Sequence, residues 1–215
     1  MSSWQQRGDY LVEVSQRSLK GHKTFDLCRS HLVKASQISK GTIYNHFPTE
    51  ADLMVSVAID NLNSWYAQTE LDKQNDQTPL MQFLFHQCWR LHDILVNKNF
   101  VIERVMPNAE ILLQASEVYQ LAYKKSFETY ISWFNNIVNE IGKVEGFNRA
   151  ELVLNYLRGT MINSDDAEKD GHDPQLYHQF CYAIVHLLGH SDKRLPGVTT
   201  FQTWLNHLPQ QQSAA

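Results

Sequence analysis

Strand signals are scarce in this chain of 215 residues. It holds no Asn-Gly, and its one Asp-Gly, Asp170-Gly171, sits among charges rather than between alternating apolar runs, which argues against hairpins. Cysteine is scarce too. Cys28, Cys88 and Cys181 lie far apart, are odd in number and form no C-x-x-C, which makes a disulfide framework or zinc knuckle improbable and predicts a reducing compartment. Long apolar runs are missing. The first twenty residues are polar and carry Asp9 and Glu13, so they do not read as a signal peptide. The uncharged stretch 174–191 holds three histidines and two glutamines and does not read as a membrane span. A cationic excess is also missing: 19 Lys and Arg stand against 23 Asp and Glu, a net charge of -4, which argues against wholesale coating of nucleic acid or anionic membrane. We expect a cytoplasmic protein with no membrane partner.

What is present is the composition of a globular chain, 43% hydrophobic and 20% charged. Its apolar residues recur in steps of three and four. Leu80, Leu84, Cys88, Leu91 and Leu95 form one stripe, and Tyr123, Phe127, Tyr130, Phe134, Ile137 and Ile141 form another. Thr78-Pro79 and Asp173-Pro174 read as N-caps followed by proline, Thr49 with Asp52 as a capping box, and Gly142 and Gly189 as helix ends. The patterns predict an all-α fold with helices at 4–20, 26–35, 39–46, 49–71, 79–96, 99–106, 109–141, 148–164, 174–189 and 199–208. The segment 163–174 reads as an acidic loop and 209–215 as a disordered tail.

The informative segment is 26–48. Two short helices separated by Ser36, Gln37 and Ile38 have helix-turn-helix proportions. On a wheel of the second, Ile43 and Phe47 define the inward face and Asn45 lies opposite. Gly41, Thr42 and Tyr44 flank Asn45, with Lys40 and His46 nearer the margins. Such a face suits DNA: a bare glycine permits close approach, Thr42 and Tyr44 reach phosphates or a thymine methyl, Lys40 adds charge, and Asn45 reads a base edge. Ser39 is the expected N-cap. A short amphipathic core helix has the same pattern.

The run Ser39-Lys40-Gly41-Thr42-Ile43-Tyr44-Asn45-His46-Phe47-Pro48-Thr49-Glu50-Ala51-Asp52-Leu53 resembles the recognition-helix signature of the TetR family of transcriptional regulators. The likeness by motif spans about residues 10–55. It implies an N-terminal three-helix helix-turn-helix DNA-binding domain at 1–48 and a larger helical ligand-binding and dimerisation domain at 49–208. Arg29, Ser39, Lys40, Gly41, Thr42, Tyr44, Asn45 and His46 become the expected DNA-binding residues. Three positions depart from the pattern. Gln37 replaces the usual turn glycine and costs about 1 kcal/mol if left-handed. Leu27-Cys28 replaces a threonine pair, so Asp26 is the expected cap. Glu50 replaces a lysine and would repel a phosphate.

The resemblance further implies a homodimer on a palindromic operator in double-stranded DNA, with recognition helices one turn, or roughly 34 Å, apart. Residues 152–162 and 176–188 would form the dimer interface, although packing within one monomer would use the same faces. A small-molecule effector, apolar or aromatic, would favour the state that leaves DNA, the usual outcome being repression. Trp65, Tyr66, His86, Trp89, Phe100, Met106, Tyr130 and Trp133 are the candidate ligand-binding residues, as groups with an apolar body and often a polar tip. The same residues would also serve an ordinary core. No cofactor or metal is expected: His178, His186 and His190 have no carboxylate or cysteine at ligand spacing.

Two other readings stay open: a family member acting on DNA with a protein partner and no small ligand, and an all-helical enzyme or interaction module. The chain lacks H-E-x-x-H, G-x-S-x-G, G-x-G-x-x-G and P-loop patterns, which weighs against an enzyme. The net charge also divides. Residues 1–48 hold seven basic and three acidic residues, for +4, and the remainder twelve and twenty, for -8. That split favours docking on DNA through one end.

Overall fold

A computed structural model describes residues 3–73, 77–142, 146 and 148–209. Among them are ten α-helices and no strand: α1 (Ser3–Leu19), α2 (Arg29–Ser36), α3 (Lys40–His46), α4 (Glu50–Asp72), α5 (Pro79–Asn97), α6 (Ala109–Gln114), α7 (Glu117–Ile141), α8 (Arg149–Asp166), α9 (Pro174–Leu187) and α10 (Val198–His207). The fold is all-α, with an N-terminal three-helix helix-turn-helix unit followed by a larger helical bundle. Residues 210–215 of the expected tail lie outside the described residues.

Local chemistry sets most helix starts. Thr49 Oγ1 accepts from Asp52 N at 3.0 Å while Asp52 Oδ2 accepts from Thr49 N at 2.8 Å, a complete capping box on α4. Thr78 caps α5, Asn148 caps α8 and Asp173 caps α9, the first and last just ahead of a proline.

Three expectations need correction. First, α2 begins at Arg29 rather than 26, and Asp26 does not cap it. Asp26 pairs with His22 at 2.8 Å, and Glu50 Oε2 reaches across from α4 to accept the Arg29 N–H at 2.9 Å. Second, 99–106 is not a helix. Lys98 takes a left-handed φ of 56° and ends α5, and only one 3-10 turn follows at Ile102–Arg104. Phe100, Val101, Ile102 and Met106 are all buried, so the segment enters the core as irregular chain. Third, the predicted helix 109–141 is broken at Ala115 and Ser116. Ser116 N and Oγ both donate to Asp52 Oδ1, at 2.7 and 2.9 Å, which stops α6 and restarts the chain as α7. A contact 64 residues away in sequence overrides the local periodicity.

Three apolar clusters result. Leu11, Val14, Leu32, Ile43, Phe47 and Leu53 form a small core among α1, α2, α3 and the start of α4. A second holds Val55, Ala58 and Leu62 of α4 with Ile102, Met106, Tyr123 and Tyr130. The largest packs α5 against α7, α8, α9 and α10 around Leu84, Leu91, Phe134, Leu157, Ile184 and Phe201. Each such fully buried side chain contributes about 1.5–3 kcal/mol. No helix among the described residues is long and apolar enough to cross a membrane.

Candidate nucleic-acid interface and cavity

The α3 face is built by burying its opposite side. Ile43 and Phe47 are 0% and 1% exposed, and this anchors the helix. Ser39 caps it, its Oγ accepting from Thr42 N at 3.3 Å. Ser39, Lys40, Gly41 and Asn45 are exposed, and Thr42 and Tyr44 are half-buried at the edges. A Cβ added to Gly41 would meet nothing within 4 Å, so its bare backbone is an opening on the outer surface. Gln37 has φ 58°, the left-handed value expected of the turn, with its cost as a non-glycine.

Arg29 and Glu50 form one unit. Arg29 Nε donates to Glu50 Oε1 at 2.9 Å, and its Nη1 donates to the carbonyls of Phe47, at 3.0 Å, and Pro48. The guanidinium also lies 4.3 Å over the Tyr44 ring, with Lys40 Nζ 5.2 Å from the same ring. Arg29 therefore staples the end of α3 to α2 and sets the Tyr44 ring. It also neutralises Glu50, so the departure at that position adds no free negative charge to the face.

His46 is placed differently from its neighbours. It is 7% exposed, its ring stacks on Trp4 at 3.6 Å, and burial, aided by the Arg7 charge, lowers its pKa. It packs α1 on α3 rather than facing out with Asn45. Trp4, 48% exposed beside it, went unnoticed in the sequence because it sits at the chain's start.

A cavity of about 250 Å³ opens between α4, α5, α7, α8 and the 102–107 segment. Trp65, Met106 and Tyr130 of the candidate ligand residues line it, together with Leu62, Tyr123, Phe127, Arg90, Glu103 and, on α8, Asn155 and Arg158. The other candidates lie elsewhere. Phe100 packs edge-on against Phe25, and Tyr66 sits half-buried against the second core cluster. Trp89 faces a separate depression with Phe85 and Trp204. His86 stands behind Tyr130, its Nε2 3.1 Å from the Tyr130 hydroxyl, and Trp133 lies edge-on to His86 at 4.7 Å. Burial drives the His86 pKa down to about 4, with Arg90 adding to the effect and Asp72, 3.4 Å away, opposing it; His86 is neutral at pH 7.

Arg90 and Glu103 do not read as cavity residues in the sequence, where the aromatic residues of the middle helices stand out instead. The usable signal was a lone Arg in the apolar α5 run. Arg90 is 5% exposed. Its Nη2 donates to Glu103 Oε1, its Nη1 to Gln87 Oε1 at 3.1 Å and to the Tyr130 hydroxyl at 3.3 Å, and its guanidinium lies 3.8 Å over the Trp65 ring. Arg90 Nε and Glu103 Oε2 are buried without a partner.

Two sets of contacts tie the N-terminal helices to the bundle. On one side the Tyr119 hydroxyl of α7 donates to the His46 carbonyl at 2.8 Å, next to the Ser116–Asp52 pair. On the other, Lys23 Nζ donates to Asp165 Oδ1 at 2.5 Å, and Arg104, next to cavity-lining Glu103, donates to Asp165 Oδ2 at 2.7 Å.

No family model and no curated protein matches the sequence. The architecture is that of helical transcriptional regulators known from crystal structures. One is the transcriptional regulator FadR from Bacillus subtilis, solved with stearoyl-CoA: TM-score 0.61 and 14% identity, over 84% of this chain and 96% of that one. Another is RolR, solved with resorcinol: TM-score 0.59 and 11% identity, over 97% of each chain. At these identities the likeness is one of fold.

Proposed function

We propose that the chain is a TetR-like DNA-binding transcriptional regulator rather than an enzyme, a cytoplasmic repressor that binds a palindromic operator as a homodimer. Residues 1–48 are the DNA-binding domain and 49–208 the ligand-binding and dimerisation domain. The observation that carries the reading is the α3 surface: Ile43 and Phe47 are buried while Lys40, Gly41 and Asn45 stand outside on a head of net charge +4. Ser39, Thr42 and Tyr44 complete the contact surface, Arg29 sets Tyr44, and His46 supports the helix through Trp4.

Homodimerisation through 152–162 and 176–188 is supported by Leu152 and Tyr182, 43% and 47% exposed on the adjoining helices α8 and α9. The cavity favours release by a small ligand over the ligand-free alternative. Both fold neighbours were solved with a ligand, one an acyl thioester and the other a small phenol. Selection of bound DNA from a random pool tests the reading. The expected product is a palindrome with half-sites about one helical turn apart. Recovery of no enriched sequence would defeat DNA recognition, and an enriched but asymmetric site would defeat the dimer.

A further inference from the structure

Resting on the reading above, we propose that the cavity takes a small amphipathic monocarboxylate, its apolar body inside and its carboxylate at the mouth on Arg158. The inner wall is apolar, with Leu62, Trp65, Phe127, Ile131 and Leu157 among its residues. At about 250 Å³ the space falls below the usual 300–1,000 Å³ of drug-sized sites, so the body is small. The exposed lining residues are Pro107 and, on α8, Asn155 and Arg158. The last two stand three residues apart on one side of that helix and border the mouth together.

The head group follows from the polar groups that stay both free and reachable. Glu103 is the one acid among the described lining residues, and Arg90 engages its carboxylate, so that pair adds no net charge. Arg158 makes no ion pair or hydrogen bond among the described residues. Two arginines against one glutamate leave the space cationic. Asn155 also makes no side-chain hydrogen bond among the described residues, so its amide is free to donate beside Arg158. On α7, Tyr123 is 6% exposed, yet its hydroxyl is not enclosed and has no hydrogen-bond partner among the described residues. Burial pushes its pKa up to about 12, so it remains a neutral donor.

A guanidinium, an amide and a phenol thus all offer a proton to what enters, and the one carboxylate is already taken. A ligand carboxylate only accepts, and its two oxygens match the fork of a guanidinium. An ammonium would meet the Arg158 charge instead, and a neutral head would leave that charge unanswered. Arg158 also lies in the stretch 152–162 proposed for the dimer face, so the bound carboxylate would change the charge where a second copy approaches.

The test compares 3-phenylpropionate, its neutral counterpart 3-phenylpropanamide and its cationic counterpart 3-phenylpropylamine on the full chain, by calorimetry. We expect the acid to bind at least about fivefold more tightly than the amide, between the worth of an exposed ion pair and that of a charge-assisted hydrogen bond, with the amine weakest. Arg158→Gln, at an exposed position, should bring the acid down to the affinity of the amide and leave the amide unchanged, whereas Arg158→Lys should restore part of the loss. A structural defect would weaken acid and amide alike, and the series on the unaltered chain decides the matter even then. Equal binding of acid and amide, tightest binding of the amine, or binding of none overturns the proposal. So does an acid whose affinity survives Arg158→Gln, and loss of the dimer in that variant would then assign the arginine to the second copy. Binding of the acid that leaves operator affinity unchanged would instead count against the regulatory reading and leave the ligand class standing.

Discussion

The three-helix head and the helical body differ in how many polar groups they bury unmet. In the head, Arg29, Glu50, Thr49 and Asp52 close one another's hydrogen bonds around a core of six apolar residues, and of the described α3 side chains only His46 leaves a buried nitrogen, Nε2, without a hydrogen-bond partner. In the body, polar groups are taken inside and left short. Gln87 Nε2, Arg90 Nε and Glu103 Oε2 lie within the bundle without hydrogen-bond partners, while His86 Nδ1 faces Asp72 at 3.4 Å. An unmet buried donor or acceptor costs about 1–3 kcal/mol, and most of that cost falls on the body. A surface that reads DNA needs a fixed shape, whereas a site that responds to a molecule needs something left to complete.

The largest expected effect breaks the head alone. Phe47→Ala should cost about 3–5 kcal/mol, and because the head's core is small, loss of protection in hydrogen exchange should concentrate in α1–α3. Uniform loss through α5–α9 would show that head and body do not differ in this way. Next comes the body's buried histidine. Unfolded His titrates near 6.5, but in the folded chain His86 takes its proton only near pH 4, so the unfolded state binds more protons between these values. Stability should therefore fall as pH drops from about 6.5 to about 4, by about 3 kcal/mol from this group. Chemical denaturation across that window should show a shallower slope for His86→Gln. A slope unchanged by the substitution would remove the contrast at this residue.

Smaller effects sharpen the head. Lys40→Ala should weaken operator binding and reduce the slope of log affinity against log salt by about 1 per protomer, with the melting transition unmoved. Gly41→Ala separates folding from binding. It should stabilise the free protein by about 0.5–1 kcal/mol, since helix propensity rises and the new methyl meets nothing, while operator affinity falls. A parallel gain in affinity would show that the backbone at Gly41 does not approach DNA.

How far the sequence announced these features depends on the range of the interaction that makes them. The α3 wheel and the caps of α4, α5, α8 and α9 rest on residues within one or two turns, so they were legible, whereas the left-handed Gln37 was suggested only by the turn glycine of the family that the motif resembles. The break before α7 was not, because Asp52 and Ser116 meet only in the folded chain. The buried irregular path through Phe100 and Met106 reads locally as helix because its apolar residues serve neighbours on several sides. A wheel tells which side chains turn inward but not whether they meet another side chain or a void. Trp65 and Tyr130 border the cavity while Trp133, one turn beyond Tyr130, packs against His86 instead. Arg90 and Glu103 become a pair only once α5 ends at Lys98 and the chain doubles back.

The Tyr119 tether gives α7 a mechanical meaning. Tyr123, Phe127 and Tyr130 follow Tyr119 along one side of an unbroken helix, and the first of them lies about 6 Å further along its axis. The hydroxyl of Tyr119 grips the last carbonyl of α3, and Ser116, at the start of α7, grips Asp52. No hinge or loop lies between those grips and the cavity wall. A push on that wall along the axis would be carried by the same helix to the two hydrogen-bonded clamps at its N-terminal end.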